Sequence, residues 1–87
     1  MPRVFIPPEL RTFVGGVESI DVPGKTVREV IDALDAQFPG IGRHFRDGDA
    51  LRGGLSVVID TDVSPRGLLQ KVEPQSEVHF LSAIGGG

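Results

Sequence analysis

The strongest structural signal in the chain is the stretch Thr26 to Gly40, TVREVIDALDAQFPG. Thr26, with Glu29 three residues later, fits a capping box, in which each side chain accepts a hydrogen bond from a backbone N–H at a helix start. The apolar residues that follow recur at spacings of three and four and therefore share one helix face: Val27, Val30, Ile31, Leu34 and Phe38. Pro39-Gly40 ends the pattern. The stretch predicts one helix of about three turns, with an apolar face that must cover another element.

Short apolar runs on both sides of this helix predict the strands that it covers. They are Arg3 to Ile6, Val17 to Val22, Leu55 to Ile59, a short element near Val63, and Glu77 to Leu81. Pro7-Pro8 ends the first run because proline cannot donate to a sheet ladder, and Gly15-Gly16 supplies the turn into the second. The order strand, strand, helix, strand, strand, strand indicates an α+β domain with the helix on one face of a sheet.

Two segments lack a sustained period. Residues 41 to 54 contain four glycines, and we expect a long connection with one helical turn around Arg43 to Arg46 and with Phe45 tucked inward. Gly67 to Val72 is expected to hold another single turn. The predicted core between helix and sheet comprises Val4, Ile6, Ile20, Val22, Val27, Val30, Ile31, Leu34, Val57, Val78 and Phe80.

Composition narrows the class of protein. A chain of 87 residues forms one small domain. Its net charge of -3 argues against nucleic acid or an anionic membrane as the main partner. The absence of cysteine excludes disulfides, thiolate nucleophiles and cysteine metal sites. No apolar run approaches the roughly 18 residues of a membrane span, and no targeting segment is evident, so we expect a cytoplasmic protein.

The chain ends in Ala83-Ile84-Gly85-Gly86-Gly87, directly after an apolar strand. We therefore divide it into a folded domain, 1–82, and a flexible tail, 83–87, with mobility expected from Ser82 onward. Glycine has no Cβ, so the tail can enter a channel too narrow for side chains. The terminal carboxylate is ionised at neutral pH and is a nucleophile toward an activated phosphate such as that of ATP.

Several short motifs point to one known family. They are Ile6-Pro7 followed by Leu10-Arg11, Gly15-Gly16, Thr26-Val27, Phe38-Pro39-Gly40-Ile41 and the terminal Ala83-Ile84-Gly85-Gly86-Gly87. On these motifs the chain resembles, over nearly its full length, the ubiquitin-like β-grasp sulfur carriers of the MoaD/ThiS family. It is most similar to the MoaD-like branch that includes the cysteine-biosynthesis carrier. It departs from the family pattern at Asp60, Gln75-Ser76 and Ser82, where turn-compatible residues replace the usual ones.

The resemblance implies a β-grasp fold, a mixed sheet of four to five strands with one main helix on one face. It also implies a carrier rather than an enzyme, monomeric when free and without a bound cofactor or metal. A partner adenylyltransferase related to ubiquitin-activating enzymes would consume ATP to join the Gly87 carboxylate to AMP, while Gly85 and Gly86 thread its channel. A sulfur donor would then replace AMP, and the thiocarboxylate would pass its sulfur to an enzyme of cysteine, molybdopterin, thiamine or related biosynthesis.

The resemblance also predicts a docking surface. In a β-grasp sheet the first strand lies beside the last, which neighbours the third. By strand parity Phe5, Val58, His79 and Leu81 then point away from the helix, and we expect one exposed apolar patch that the activating enzyme grips. A scatter of ordinary exposed apolar residues is the alternative.

Competing functions find little support in the sequence. Pro23-Gly24-Lys25-Thr26 matches the end of a phosphate-binding loop, but the first glycine of that motif would fall at Ser19. The two histidines, His44 and His79, have no second ligand at a metal-binding spacing. A ubiquitin-like modifier whose tail forms amide bonds, or a binding module whose tail forms none, stays open as the alternative to a sulfur carrier.

Overall fold

The structure, a computed structural model, describes residues 1 to 82, with the backbone alone at Ser82. The predicted helix is present as α1, Val27–Gln37. Thr26 Oγ1 accepts a hydrogen bond from the Glu29 backbone N–H at 3.2 Å, as a capping residue should. The Glu29 carboxylate accepts from the backbone N–H of Lys25 at 3.1 Å, so the return bond of the capping box reaches one residue further back than predicted.

Within residues 1 to 82, seven strands accompany the helix: β1 (Arg3–Phe5), β2 (Ser19–Asp21), β3 (Arg46–Asp47), β4 (Ala50–Leu51), β5 (Leu55–Ile59), β6 (Asp62–Val63) and β7 (Glu77–Ser82). Five of them form a sheet in the order β2-β1-β7-β5-β6, and β3 pairs with β4 separately. The neighbours β1 and β7 run parallel, whereas the other pairs are antiparallel. A mixed five-stranded sheet with one main helix in the described part of the chain is the predicted α+β arrangement.

The core lies between α1 and the inner face of this sheet. All the predicted core residues are buried except Ile20, which is partly buried because β2 is an edge strand, and which still packs against the core. Phe45 is fully buried against Phe80, with ring centroids 4.5 Å apart, as expected from the sequence. Connections contribute further core residues that the sequence pattern did not mark: Leu10, Val14, Ile41, Leu68 and Val72.

The irregular segments contain more structure than predicted. The connection after β1 is a 3-10 helix, Pro8–Val14. The predicted turn near Arg43 is present at Gly42–His44 but stops earlier, because β3 begins at Arg46 and forms a hairpin with β4. A further 3-10 turn spans Gly67–Leu69, within the segment where one was expected.

Strand ends also differ from the predictions. The strand predicted from Val17 begins only at Ser19, because β1 is three residues long and its pairing with β2 stops at Phe5. The expectation that mobility begins at Ser82 is wrong at that residue, whose backbone pairs with Leu55 in the sheet. The predicted tail, 83–87, lies outside the described residues.

Within residues 1 to 82, no helix is long and apolar enough to cross a membrane. The same residues contain no cluster of three or more histidine, aspartate or glutamate side chains arranged to hold a metal ion.

Candidate functional site

The candidate site begins at the end of β7, which we call the tail root. β7 is the central strand of the sheet and is bonded to β1 on one side and to β5 on the other. Its last residue, Ser82, lies opposite Leu55 at the start of β5. Gly85, Gly86 and Gly87, the predicted threading and attachment residues, follow this point but lie outside the described residues.

The outward face of the sheet brings together the four residues predicted to dock a partner. Along β7, Val78 and Phe80 are buried, so His79 and Leu81 face away from the helix. The strand register places Phe5 on one side of His79 and Val58 on the other. Leu81 lies two residues further along β7 and is 54% exposed. Parity therefore predicted their common face correctly, and their role in binding stays a prediction.

Two stacked rings form the centre of this face. The rings of Phe5 and His79 stack with centroids 4.2 Å apart and an interplanar angle of 8°. His79 Nε2 lies 3.6 Å from Glu77 Oε1, a pair that is ionic only when the imidazole is protonated. Both rings are half-buried, and each leaves part of its area open to a partner.

Val63 extends the face and was missed from the sequence. It lies opposite Val58 in the β5–β6 pair and is 66% exposed. The sequence held a signal for this position, because a short turn between two strands fixes the register of a hairpin. In the structure this turn is Asp60-Thr61, with Asp60 at φ 58°. We call Phe5, Val58, Val63, His79 and Leu81 the outer patch.

Charged residues occupy the end of the same face away from the tail root. Arg3 lies beside Asp21 on β2 and Glu77 on β7. Its Nε donates a hydrogen bond to Asp21 Oδ1 at 3.1 Å, which holds the pKa of that carboxyl below its ordinary value. The apolar part of the face therefore lies nearest to the tail root, where Leu81 precedes the last described residue.

The Gly-Lys-Thr stretch and the two histidines, which the sequence offered as alternative site residues, make contacts within the folded domain. Thr26 Oγ1 is engaged in capping α1, and a Cβ added at Gly24 would lie 2.7 Å from the backbone nitrogen of Val30. Gly24 thus allows the chain to approach the helix closely, and these contacts explain the Gly-Lys-Thr stretch without a phosphate. The two histidines make separate aromatic contacts, His79 with Phe5 and His44 edge-on with Phe13 at 5.1 Å.

Together, the mixed sheet, its single main helix and the central last strand define a ubiquitin-like β-grasp protein. The ThiS family profile matches residues 4–87, and the chain belongs to the ThiS family. The sulfur carrier protein CysO of Mycobacterium tuberculosis (strain ATCC 25618 / H37Rv) is 34% identical over an alignment 89 positions long, which covers 97% of this chain and 96% of that protein.

Two solved structures extend the similarity to three dimensions. A chain in the crystal structure of the Amycolatopsis orientalis BexX/CysO complex matches with a TM-score of 0.92 and 29% identity, over 100% of both chains. Crystalline M. tuberculosis CysO matches with a TM-score of 0.86 and 26% identity, over 97% of this chain and 100% of that one. The predicted fold and family are confirmed, and the matches support a sulfur-carrier function.

Proposed function

We propose that this protein carries sulfur as a thiocarboxylate on Gly87, and that a partner adenylyltransferase activates this residue at the expense of ATP. The observation that carries the proposal is the ThiS family match, which continues through the terminal glycines to residue 87. The relatives named as sulfur carriers align over nearly the whole chain, which supports the same role here. The chain then acts as a carrier and leaves catalysis to its partners.

The chemistry requires only the terminal carboxyl group. A carboxylate oxygen of Gly87 attacks the α-phosphorus of ATP, pyrophosphate leaves, and an acyl adenylate forms. The sulfur of a hydrosulfide donor then attacks the carbonyl carbon, the bond to AMP breaks, and the donor's proton passes to solvent. Because the chain contains no cysteine, the carboxyl group is the place where it can hold sulfide covalently. A biosynthetic enzyme then accepts the sulfur.

The tail root provides the geometry for this delivery. Five residues follow Ser82, and a fully extended chain of five residues spans about 17 Å, at roughly 3.3–3.6 Å per residue. That length brings Gly87 into a buried active site while the β-grasp domain stays outside. Gly85 and Gly86 add no side chains that would widen the channel needed.

The outer patch would hold the domain against the activating enzyme during this step. It presents a flat aromatic pair, with exposed Leu81 beside the tail root and exposed Val63 on the neighbouring hairpin. Exposed apolar groups that lie together commonly mark protein interfaces. The CysO of A. orientalis forms a complex with BexX, which supports docking of such carriers onto a protein partner. We place the exchange in the cytoplasm, where ATP is made available to the activating enzyme, with the free carrier as a monomer.

Intact mass spectrometry tests the proposal. The protein is incubated with an adenylyltransferase of the ubiquitin-activating type from the same organism, ATP and sulfide. We expect replacement of one carboxylate oxygen by sulfur in the wild-type protein. Deletion of Gly87 and the substitution Gly86→Val should each abolish the exchange, because the first shortens the reach and the second adds bulk within the channel.

The same experiment separates the two functions left open by the sequence. A conjugate in which Gly87 is joined to a lysine amine, without a thiocarboxylate, would instead support a protein modifier. Full sulfur loading of the Gly87 deletion would overturn the proposed attachment site. Unchanged far-ultraviolet circular dichroism of both variants confirms that the folded domain is intact.

A further inference from the structure

A cluster of arginines lies near the tail root and is not used by the proposed chemistry. Arg43, Arg46 and Arg52 line a cleft of about 470 Å³ together with His44 and Asp47. Arg43 and His44 belong to the 3-10 turn, Arg46 begins β3, and Arg52 follows β4. Residues from separate elements therefore contribute positive charge to one surface.

This cleft lies beside a second groove that reaches the strand next to the tail root. The second groove, of about 240 Å³, shares His44 and Arg52 with the cleft and is also lined by Glu9 and Leu55. The backbone N–H of Leu55 donates to the Arg52 carbonyl at 3.0 Å, and Leu55 pairs with Ser82. The charged cleft therefore lies on the side of the domain where β7 ends.

The position of the arginines is set by buried contacts. Phe45, fully buried between these elements, packs against Phe80 of β7 with ring centroids 4.5 Å apart. The backbone N–H of Arg52 donates to the Phe45 carbonyl at 3.0 Å, and Arg52 Nη1 lies 3.5 Å from the Arg43 carbonyl oxygen. The segment that carries the charges is thus attached to the strand that carries the tail.

Two of the three arginines are available to a partner. Arg46 is engaged by Asp32 at 2.8 Å. Arg43 and Arg52, both exposed, form no ion pair with a carboxylate of residues 1 to 82. This open positive pair lies in a chain whose net charge is -3, so it differs in sign from the protein as a whole.

We propose that Arg43 and Arg52 form a second docking site, which binds acidic side chains at the rim of the active site that receives the tail. This inference rests on the proposed function and names the chemistry of the partner surface. An extended tail places the phosphates of ATP about 17 Å from Ser82, so the arginines of the domain meet the rim of the entrance rather than the nucleotide. Opposite charges across such a contact accelerate association and fix orientation.

A pair of charge-reversal variants tests the inference. One variant carries Arg43→Glu and Arg52→Glu. The control carries Lys25→Glu and Lys71→Glu, which change the net charge equally at the opposite end of the sheet, where the Lys25 carbonyl accepts from the backbone ahead of β7. Binding to the adenylyltransferase of the same organism is measured by surface plasmon resonance at about 50 mM and about 500 mM salt, where screening differs strongly.

At low salt, we expect the association rate constant of the arginine variant to be at least about tenfold below that of the wild-type protein. At high salt, the difference between the two rate constants should be much smaller. The lysine control should stay near the wild-type rate. The side chain of Arg43 makes no hydrogen bond within residues 1 to 82. The single variant Arg43→Glu should therefore fold normally and show part of the slowing, even if the double variant misfolds.

Equal slowing by both double variants would overturn the inference, since general charge would then explain it. Tight binding of pyrophosphate or ATP to the free wild-type carrier, lost in the arginine variant, would overturn it in favour of a phosphate site. Absence of wild-type binding at low salt would also overturn it. A wild-type protein that binds with the expected salt dependence but gains no sulfur counts against the proposed function alone.

Discussion

Replacing Leu81 with alanine should weaken docking without weakening the fold. Leu81 is 54% exposed, so about half of its side chain is free to be buried by a partner. Full burial of a leucine side chain contributes about 1.5–3 kcal/mol, and half of that is about 0.8–1.5 kcal/mol. At about 1.4 kcal/mol per tenfold change, the dissociation constant of the complex with the activating enzyme should rise about 4- to 12-fold.

Leu69→Ala is the matched control for this prediction. Leu69 is 73% exposed, but it lies in the 3-10 turn that contacts α1 and β4, away from the outer patch. Isothermal titration calorimetry of the wild-type protein and both variants measures the two dissociation constants under identical conditions. Equal affinities for Leu81→Ala and Leu69→Ala would refute the assignment of the outer patch as the docking surface.

Three further predictions concern the fold that presents this surface. Leu34→Ala, which truncates a fully buried side chain of α1, should cost about 2–5 kcal/mol and lower the thermal midpoint by at least about 8 °C; an unchanged midpoint would contradict the assigned helix face. Gly24→Ala should destabilise by more than about 1 kcal/mol in urea unfolding because φ is 154° and the new Cβ meets the helix backbone, whereas Gly53→Ala, with open space around it, should not. The Arg3–Asp21 pair lowers the pKa of Asp21, so the small stabilisation from this pair is present above about pH 4 and is lost as pH falls through the folded-state pKa. The difference in free energy of unfolding between the wild-type protein and Asp21→Asn should therefore shrink between about pH 5 and pH 2. A difference that stays constant over this range would argue against the pair.

Local signals were sufficient where neighbouring residues determine the structure. The capping residue Thr26 and the apolar spacing that follows it are properties of a single segment, and the helix begins and ends close to the predicted residues. Strand parity likewise assigned Phe5 and His79 to one face, because side chains alternate along any strand. The strand order came from the resemblance, since neither periodicity nor parity specifies which strands pair.

The features that the sequence did not predict depend on contacts between distant segments. The β3–β4 hairpin lies in a glycine-rich stretch without alternation, and it is held by Phe45, whose partner Phe80 is 35 positions later. The proximity of Arg43 to Arg52 follows from that hairpin and has no counterpart in their spacing. Only the folded arrangement therefore shows the positive surface beside the tail root.

The central position of β7 suits the proposed delivery, in which a short tail enters another protein while its own domain stays folded. Any pull on residues beyond Ser82 acts along a strand that is bonded to β1 and β5 and anchored inward by Val78 and Phe80. An edge strand would be hydrogen-bonded on one side only and could detach or shift in register more easily. A shift by one residue would move its outward side chains to the core face. Since Leu81 lies on this same strand, a partner that binds the outer patch also fixes the point from which the tail is measured. In the proposed function, the length from that point to Gly87 would then set how far the carboxylate reaches toward the phosphate of ATP.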